Sequence, residues 1–145
     1  MTRSERISPI KGLADDRERE AGRTVSRDQA TLAAAQKQLQ ELESYRAEYA
    51  ARQQGAAAQN VALLQNFQAF LGRLEEAIRQ QQRVVDQAQV VADSSTAVWH
   101  ERKIEAASLG KVVDRLQLQE RAVTERREQA ETDERASRAI PIRID

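Results

Sequence analysis

The sequence predicts an all-α protein, an antiparallel two-helix coiled coil whose second helix is longer and protrudes beyond the first. Three observations support this fold: a heptad pattern of apolar residues, very few helix-breaking residues, and a composition that favours helices. The 145 residues include 5 glycines, 2 prolines and no cysteine, and only 3% of the chain is aromatic. Such a composition is typical of long helices rather than of sheet-containing domains.

The second predicted helix, about residues 60–138, carries the longer heptad repeat. With Leu64 at position a, apolar residues occupy most a and d positions as far as Val123; Gln81, Ser95 and Arg102 are d-site exceptions. A seven-residue repeat sustained over this length places one apolar line against a partner helix. At 1.5 Å per residue, this helix is expected to be roughly 115 Å long.

The first predicted helix covers about residues 9–52, with Ser8 as its N-cap and Pro9 at its first position. A second heptad pattern runs through it. Its apolar a and d residues are Ala21, Val25, Leu32, Ala35, Leu39, Leu42 and Tyr49. Before Ala21 the repeat is poor, so looser packing is expected there.

Residues 53–59 are the expected turn, because Gly55 is a plausible point of chain reversal and Asn60 can cap the next helix. The two helices then form a hairpin within one coiled-coil domain, residues 1–145. Pro141 cannot continue a helix, so residues 139–145 are predicted to be a frayed tail.

The two predicted helices differ in length. The first, at roughly 68 Å, would reach only to about Trp99–Ala106 of the second. Residues beyond that point would have no partner within the chain and are predicted to bind another protein or a second copy. They are Leu109, Val113, Leu116 and Val123.

One flank of the second helix is also apolar. Its g positions are Leu63, Phe70, Ala77, Val84, Val91 and Val98, whereas its e positions are polar. In an antiparallel pair the g positions of both helices border the same side, so one edge is expected to expose Tyr45 and Phe70. Exposed apolar strips of this kind mark binding surfaces. Phe67 and Tyr49, at d positions, are expected in the core.

Catalytic and metal-binding motifs are missing from the sequence. His100 is the single histidine, and a lone imidazole without a converging carboxylate cluster is a poor base or ligand. No phosphate-binding loop or nucleophile motif is present. The chain is therefore predicted not to be an enzyme and to need no cofactor.

Charge and hydropathy exclude two further classes of partner. The 23 basic and 23 acidic residues balance, so there is no positive stripe to bind nucleic acid. No apolar run approaches the length that spans a bilayer, so no direct membrane insertion is expected. With no cysteine, the chain fits a reducing cytoplasm.

Ordered landmarks in this pattern give a more specific indication. They are Gln38-x3-Leu42-x2-Tyr45-x2-Glu48-Tyr49, Phe70-x3-Leu74-x2-Ala77-Ile78, Trp99-x2-Arg102-Lys103 and Asp133-Glu134-x-Ala136-x-Arg138. At these separations, over nearly its whole length, the chain resembles the flagellar export protein FliJ family.

The resemblance implies a cytoplasmic component of the flagellar type III export apparatus, held peripherally at the cytoplasmic face of the inner membrane. Members of the family are antiparallel coiled coils similar to the central stalk of rotary ATPases. The implied partners are the hexameric ring of the export ATPase FliI, FliH, the export gate protein FlhA and the export chaperones.

The family's gate-contacting patch corresponds to eight residues of this chain. They are Gln38, Leu42, Tyr45, Tyr49, Phe70, Leu74, Ala77 and Gln81. Some members carry histidine where this chain has Gln81. The protruding helix would engage the ATPase or another partner through the four aliphatic residues named above.

Two alternatives stay open at this point. One is the equivalent stalk of a virulence type III secretion system. The other is a holdase chaperone whose hairpin tip grips unfolded clients; it would suppress aggregation without an ATPase and would favour a more apolar tip than residues 53–59 provide.

Overall fold

The computed structural model describes residues 1–56 and 60–139, apart from the side chain of Ala56, and contains two antiparallel helices. Helix α1 is Arg3–Ala56, with 54 residues, and α2 is Val61–Ala139, with 79 residues. The predicted all-α antiparallel hairpin is confirmed. Gly55 lies within α1 rather than in a turn. The rest of the predicted turn, residues 57–59, and the tail from residue 140 lie outside the described residues.

The chain divides into two compact units. The central unit is Glu20–His100, and the terminal unit combines the start of α1 with the part of α2 from Glu101 onward. In each unit the helices pack through their a and d positions. The buried apolar residues are Val25, Ala35, Leu74, Val85 and Ala92 in the central unit, and Ala14 and Val113 in the terminal unit. All of them are heptad seam positions, and all except Ala14 belong to the seams predicted from the sequence.

Asn60 caps α2 as expected. Its side-chain oxygen accepts a hydrogen bond from the Ala62 N–H at 2.9 Å. The start of α1 differs from the prediction. The Thr2 hydroxyl accepts a hydrogen bond from the Glu5 N–H at 3.3 Å, and the Glu5 carboxylate accepts one from the Thr2 N–H at 2.9 Å.

This reciprocal pair is a capping box, and it starts α1 at Arg3 instead of near residue 9. The predicted start at Ser8-Pro9 is therefore wrong, and Pro9 lies inside the helix. A proline there lacks the N–H that would bond back along the helix. The first turns of α1, which include Pro9, also contact α2.

The seam continues through these first turns in the same seven-residue register. Ala14 is 3% exposed and Ser4 5% exposed, at the d and a positions of that register. The Ser4 N–H and hydroxyl donate hydrogen bonds of 3.0 and 2.6 Å to the Glu120 carboxylate on α2. The expectation of looser packing before Ala21 is therefore wrong. Polar side chains occupy some of the heptad a and d positions there, so a search for apolar residues alone does not reveal the repeat.

In the central unit the polar d-site residues are also partnered. The Ser95 hydroxyl donates a short hydrogen bond to Asp28, which occupies a d position of α1. Gln81 donates to the Ala35 carbonyl at 3.0 Å. These side chains interrupt the apolar seam without leaving a buried polar atom unpaired among the described residues.

Gly22 leaves room for the indole of Trp99. A Cβ on residue 22 would lie 3.3 Å from Trp99 Nε1, which is tighter than most contacts of real side chains. A glycine in a helix interior is unfavourable by about 1 kcal/mol relative to alanine. Here it allows a bulky ring to pack close to the facing backbone.

Replacing Ser95 with alanine should lower the free energy of unfolding by about 1–3 kcal/mol, because the Asp28 carboxylate loses its donor while its side chain stays only 16% exposed. Urea denaturation followed by circular dichroism measures the change. In the double variant Asp28→Ala/Ser95→Ala the loss should be smaller than the sum of the single losses. The exposed neighbour Ser94→Ala is the control, and an equal loss there would contradict the role of the Asp28–Ser95 bond.

Low pH should weaken the packing of the start of α1 against α2. The hydrogen bonds from Ser4 lower the pKa of Glu120 below its ordinary value of 4.5. A carboxyl group whose pKa is lower in the folded than in the unfolded chain stabilises the fold at pH values above its unfolded-state pKa. This stabilisation is lost as the pH falls through the folded-state pKa. Amide-exchange protection of residues 3–8 should therefore fall as the pH drops below about 4.5. Glu120→Gln should remove much of this pH response, whereas the exposed Glu125→Gln should retain it.

Candidate protein-binding surface

Four aromatic rings form one cluster between α1 and α2 in the central unit. The ring centroid of Tyr49 lies 4.4 Å from that of Phe70, 4.9 Å from Phe67 and 6.2 Å from Tyr45. Tyr45 also meets Phe70 edge to face, with centroids 6.2 Å apart. The cluster forms because d and g positions of antiparallel helices converge on one edge of the seam. Such ring pairs add about 0.5–1.5 kcal/mol beyond their buried area.

Exposure separates the four rings. Tyr45 is 43% exposed, whereas Tyr49, Phe67 and Phe70 are half-buried. Tyr45 is therefore available to a partner. Tyr49 lies next to the other three rings and so holds the Tyr45 ring in place. The Arg73 guanidinium carbon lies 6.0 Å from the Phe70 ring centroid, so a cation borders the α2 side of the cluster.

The eight residues implied by the family resemblance fall into three groups in the structure. Gln38 and Tyr45 are exposed, and Leu74 is buried at 7% exposure. The half-buried members are Leu42, Tyr49, Phe70, Ala77 and Gln81. The side-chain amide of Gln81 already donates a hydrogen bond to the Ala35 carbonyl. The set thus combines a small accessible surface with side chains that hold it in place.

The apolar g-position edge of α2 is exposed at four of its six residues. Phe70, expected to be exposed, is half-buried instead, because its ring packs against Tyr45 and Tyr49. Leu63 is 38%, Val84 51%, Val91 42% and Val98 44% exposed. Val84 and Val91 line a groove together with Ala88, Thr31, Asp28, Arg83 and Gln87. Large exposed aliphatic side chains in such a regular series suit a protein interface.

The predicted contact residues of the protruding helix need correction. Leu109 and Leu116 are half-buried and Val113 is only 5% exposed, because α1 begins at Arg3 and its first turns cover them. The expectation that these three residues lack a partner within the chain is wrong. Val123 is 46% exposed, and the described residues 123–139 are all exposed. The free part of α2 therefore starts at Val123.

Side chains at the free end of α2 make hydrogen bonds within the helix. Arg138 donates to Glu134 at 2.6 Å, one helical turn away. A pair at this spacing stabilises an exposed helix by roughly a few tenths of a kcal/mol. The hydroxyls of Thr124 and Thr132 donate to the carbonyls of Glu120 and Glu128, a type of bond that does not add to helix stability.

Glu76 and His100 lie on the exposed surface of α2. The Arg79 guanidinium donates to the Glu76 carboxylate at 2.6 Å and lowers the pKa of Glu76. His100 is exposed, and its ring centroid lies 5.3 Å from that of Trp99. No cluster of His, Asp and Glu in the described ranges could hold a metal ion.

Neither α1 nor α2 has an apolar stretch long enough to cross a bilayer.

Comparison with known proteins gives one family. The family model described as flagellar FliJ protein matches residues 3–141. Neither a curated protein nor a solved structure matches the chain.

Proposed function

Because the chain belongs to the flagellar FliJ protein family and is thus a component of flagellar type III protein export, we propose that it works there by binding the export gate FlhA through the surface around Tyr45. The family is a non-enzymatic export component. Its role is then to connect other proteins of the apparatus.

The observation that carries this proposal is the supported but exposed ring of Tyr45. Its neighbours Tyr49 and Phe70 restrict the ring, while 43% of the residue stays accessible. A side chain held in its bound position loses little conformational entropy on association. Aromatic residues of this kind are frequent energetic centres of interfaces.

The other members of the implied patch have different roles in this proposal. Gln38 and the half-buried Leu42 extend the accessible surface along α1, and Ala77 extends it along α2. Tyr49 and Leu74 position the exposed residues from within the seam. Gln81 contributes through its bond to α1 and contacts the gate only at its margin.

For the export ATPase FliI we propose the free part of α2, Val123 with the exposed residues that follow it. Val123 is the one member of the originally predicted set whose side chain is exposed in the structure. Leu109, Val113 and Leu116 keep α1 and α2 together. FliH and the export chaperones complete the proposed set of partners, and binding to the gate places the chain at the cytoplasmic face of the inner membrane.

The family match favours the flagellar role over the equivalent stalk of a virulence secretion system. The holdase alternative depends on an apolar tip at residues 53–59. Residues 53–55 of this segment are two glutamines and a glycine, and these three supply no such surface.

Tyr45→Ala combined with Phe70→Ala should weaken binding to the purified cytoplasmic domain of FlhA by about tenfold or more, since an anchoring ring and its support are removed. Isothermal titration calorimetry measures the affinity, and circular dichroism verifies the helices. Leu118→Ala is the matched control, because Leu118 is 67% exposed and outside the patch. Unchanged affinity in the double variant would exclude this surface as the gate contact.

Val123→Asp should reduce the stimulation of FliI ATPase activity by this protein, about tenfold at sub-saturating concentration, because it places a charge on the proposed contact. The variant should fold normally, since Val123 is 46% exposed. Ile104→Asp provides the control, because Ile104 is 67% exposed on the same helix. Equal stimulation by both variants would move the ATPase contact elsewhere without affecting the proposal for FlhA.

A further inference from the structure

Three valines on α2 form a second exposed apolar feature in the central unit. Val84, Val91 and Val98 are 51%, 42% and 44% exposed. They succeed one another at intervals of seven residues, so they lie in one line on the helix. We call this line the valine strip. It contains none of the eight residues assigned to the gate patch.

The strip borders a groove whose two sides differ. On the α2 side the groove is lined by Val84, Ala88 and Val91, and on the α1 side by Thr31 and Asp28. The Asp28 carboxylate accepts a hydrogen bond from the Ser95 hydroxyl and lies 4.0 Å from a guanidinium nitrogen of Arg27. Its negative charge therefore already has partners within the chain. The surface exposed in the groove is nevertheless almost wholly apolar, although Arg83 and Gln87 of α2 also belong to its lining.

Arg83 supplies the cation at the edge of this groove. Its positive charge contributes to lowering the pKa of Glu76 on the same helix, but the strongest hydrogen bonds of Glu76 come from Arg79. A partner with a carboxylate near Val84 would complement the Arg83 charge. A partner with a basic residue there would be repelled.

Spacing identifies the secondary structure of the partner. Residues seven apart on a helix are about 10.5 Å apart along its axis. A second helix with a seven-residue repeat matches this interval at every step. An extended strand repeats its side chains on one face about every 6.8 Å, so successive contacts would fall out of step with the valines.

A second copy of this chain fits the groove less well than a single helix does. Pairing two hairpins face to face would also bury the hydroxyl side chain of Thr31, which lines the groove from α1. Burying such groups without new hydrogen bonds is unfavourable. One added helix can instead cover the valines while leaving the outer face of α1 in water.

We propose that the valine strip docks one amphipathic α-helix of another protein, with apolar residues at seven-residue intervals and an acidic side chain beside Arg83. The docked helix forms a local three-helix arrangement with α1 and α2. This interaction is separate from FlhA binding at Tyr45 and from FliI binding at Val123.

Photo-crosslinking in the full-length chain tests the proposal in cells that express it. A benzophenone amino acid is placed at position 84, 91 or 98, and at position 90 as a matched control. Val90 is 62% exposed and adjacent to Val91, but it lies outside the strip. The three strip positions should crosslink to one partner protein, and the crosslinked residues, identified by mass spectrometry, should advance by about seven from one position to the next.

Three outcomes would overturn the proposal. They are equal crosslinking from position 90, crosslinks only to a second copy of this chain, and no crosslink from any strip position. Crosslinked residues that advance by other intervals would likewise exclude a docked helix.

Affinity for the crosslinked protein gives the second measurement. Val91→Asn should weaken binding about tenfold and Val90→Asn less than about twofold, with equal helicity by circular dichroism. Arg83→Glu should also weaken binding, and lysine in place of the partner's acidic residue should restore it. Failure of that charge exchange would contradict the assigned acidic contact. Because Tyr45 and Phe70 are unchanged in these variants, the result is independent of the gate proposal.

Discussion

The register between α1 and α2 is the constraint on which the rest of the structure depends. A seven-residue repeat alone permits the helices to slide by whole heptads, because successive a and d layers resemble one another. Specific polar contacts distinguish the layers in this chain. Asp28 pairs with Ser95 and Gln81 with the Ala35 carbonyl in the central unit, and Ser4 pairs with Glu120 in the terminal unit.

These contacts stabilise the pairing by excluding alternatives more than by adding strength. A buried polar pair can be replaced by apolar residues with little loss, but a shifted register would leave each polar group without its partner. The Gly22–Trp99 contact favours the same register through shape, since a Cβ at residue 22 would crowd the indole at 3.3 Å. Polarity and shape thus choose one register among several that the aliphatic residues would accept.

Function depends on this register because every candidate surface combines residues from both helices or depends on where one helix ends. The Tyr45 ring is held by Tyr49 from its own helix and by Phe70 from the other. The groove beside the valine strip needs Thr31 opposite Val84 and Val91. A two-helix structure offers little volume for an enclosed site, so exposed edges and helix ends are the parts that other proteins can recognise.

The sequence by itself determined that the chain forms two long helices with an apolar edge, because both follow from local periodicity. The short segment between the helices indicated that they pair antiparallel. The heptad positions from Leu64 to Val113, the capping by Asn60 and the exposure of Tyr45, Val84 and Val91 required no tertiary information. The FliJ landmarks also indicated the family before any comparison. The start predicted at Ser8-Pro9 overlooked the Thr2–Glu5 capping box.

Only the tertiary structure decided between those starts, and with them which residues of α2 are free. Extending α1 to Arg3 brings Ser4 to Glu120 and covers Val113, so the unpartnered region begins later than the aliphatic pattern suggested. The physical reason is that helix ends and polar seam contacts depend on groups far apart in the sequence. A periodic pattern describes the face of one helix and cannot specify what the opposite helix provides.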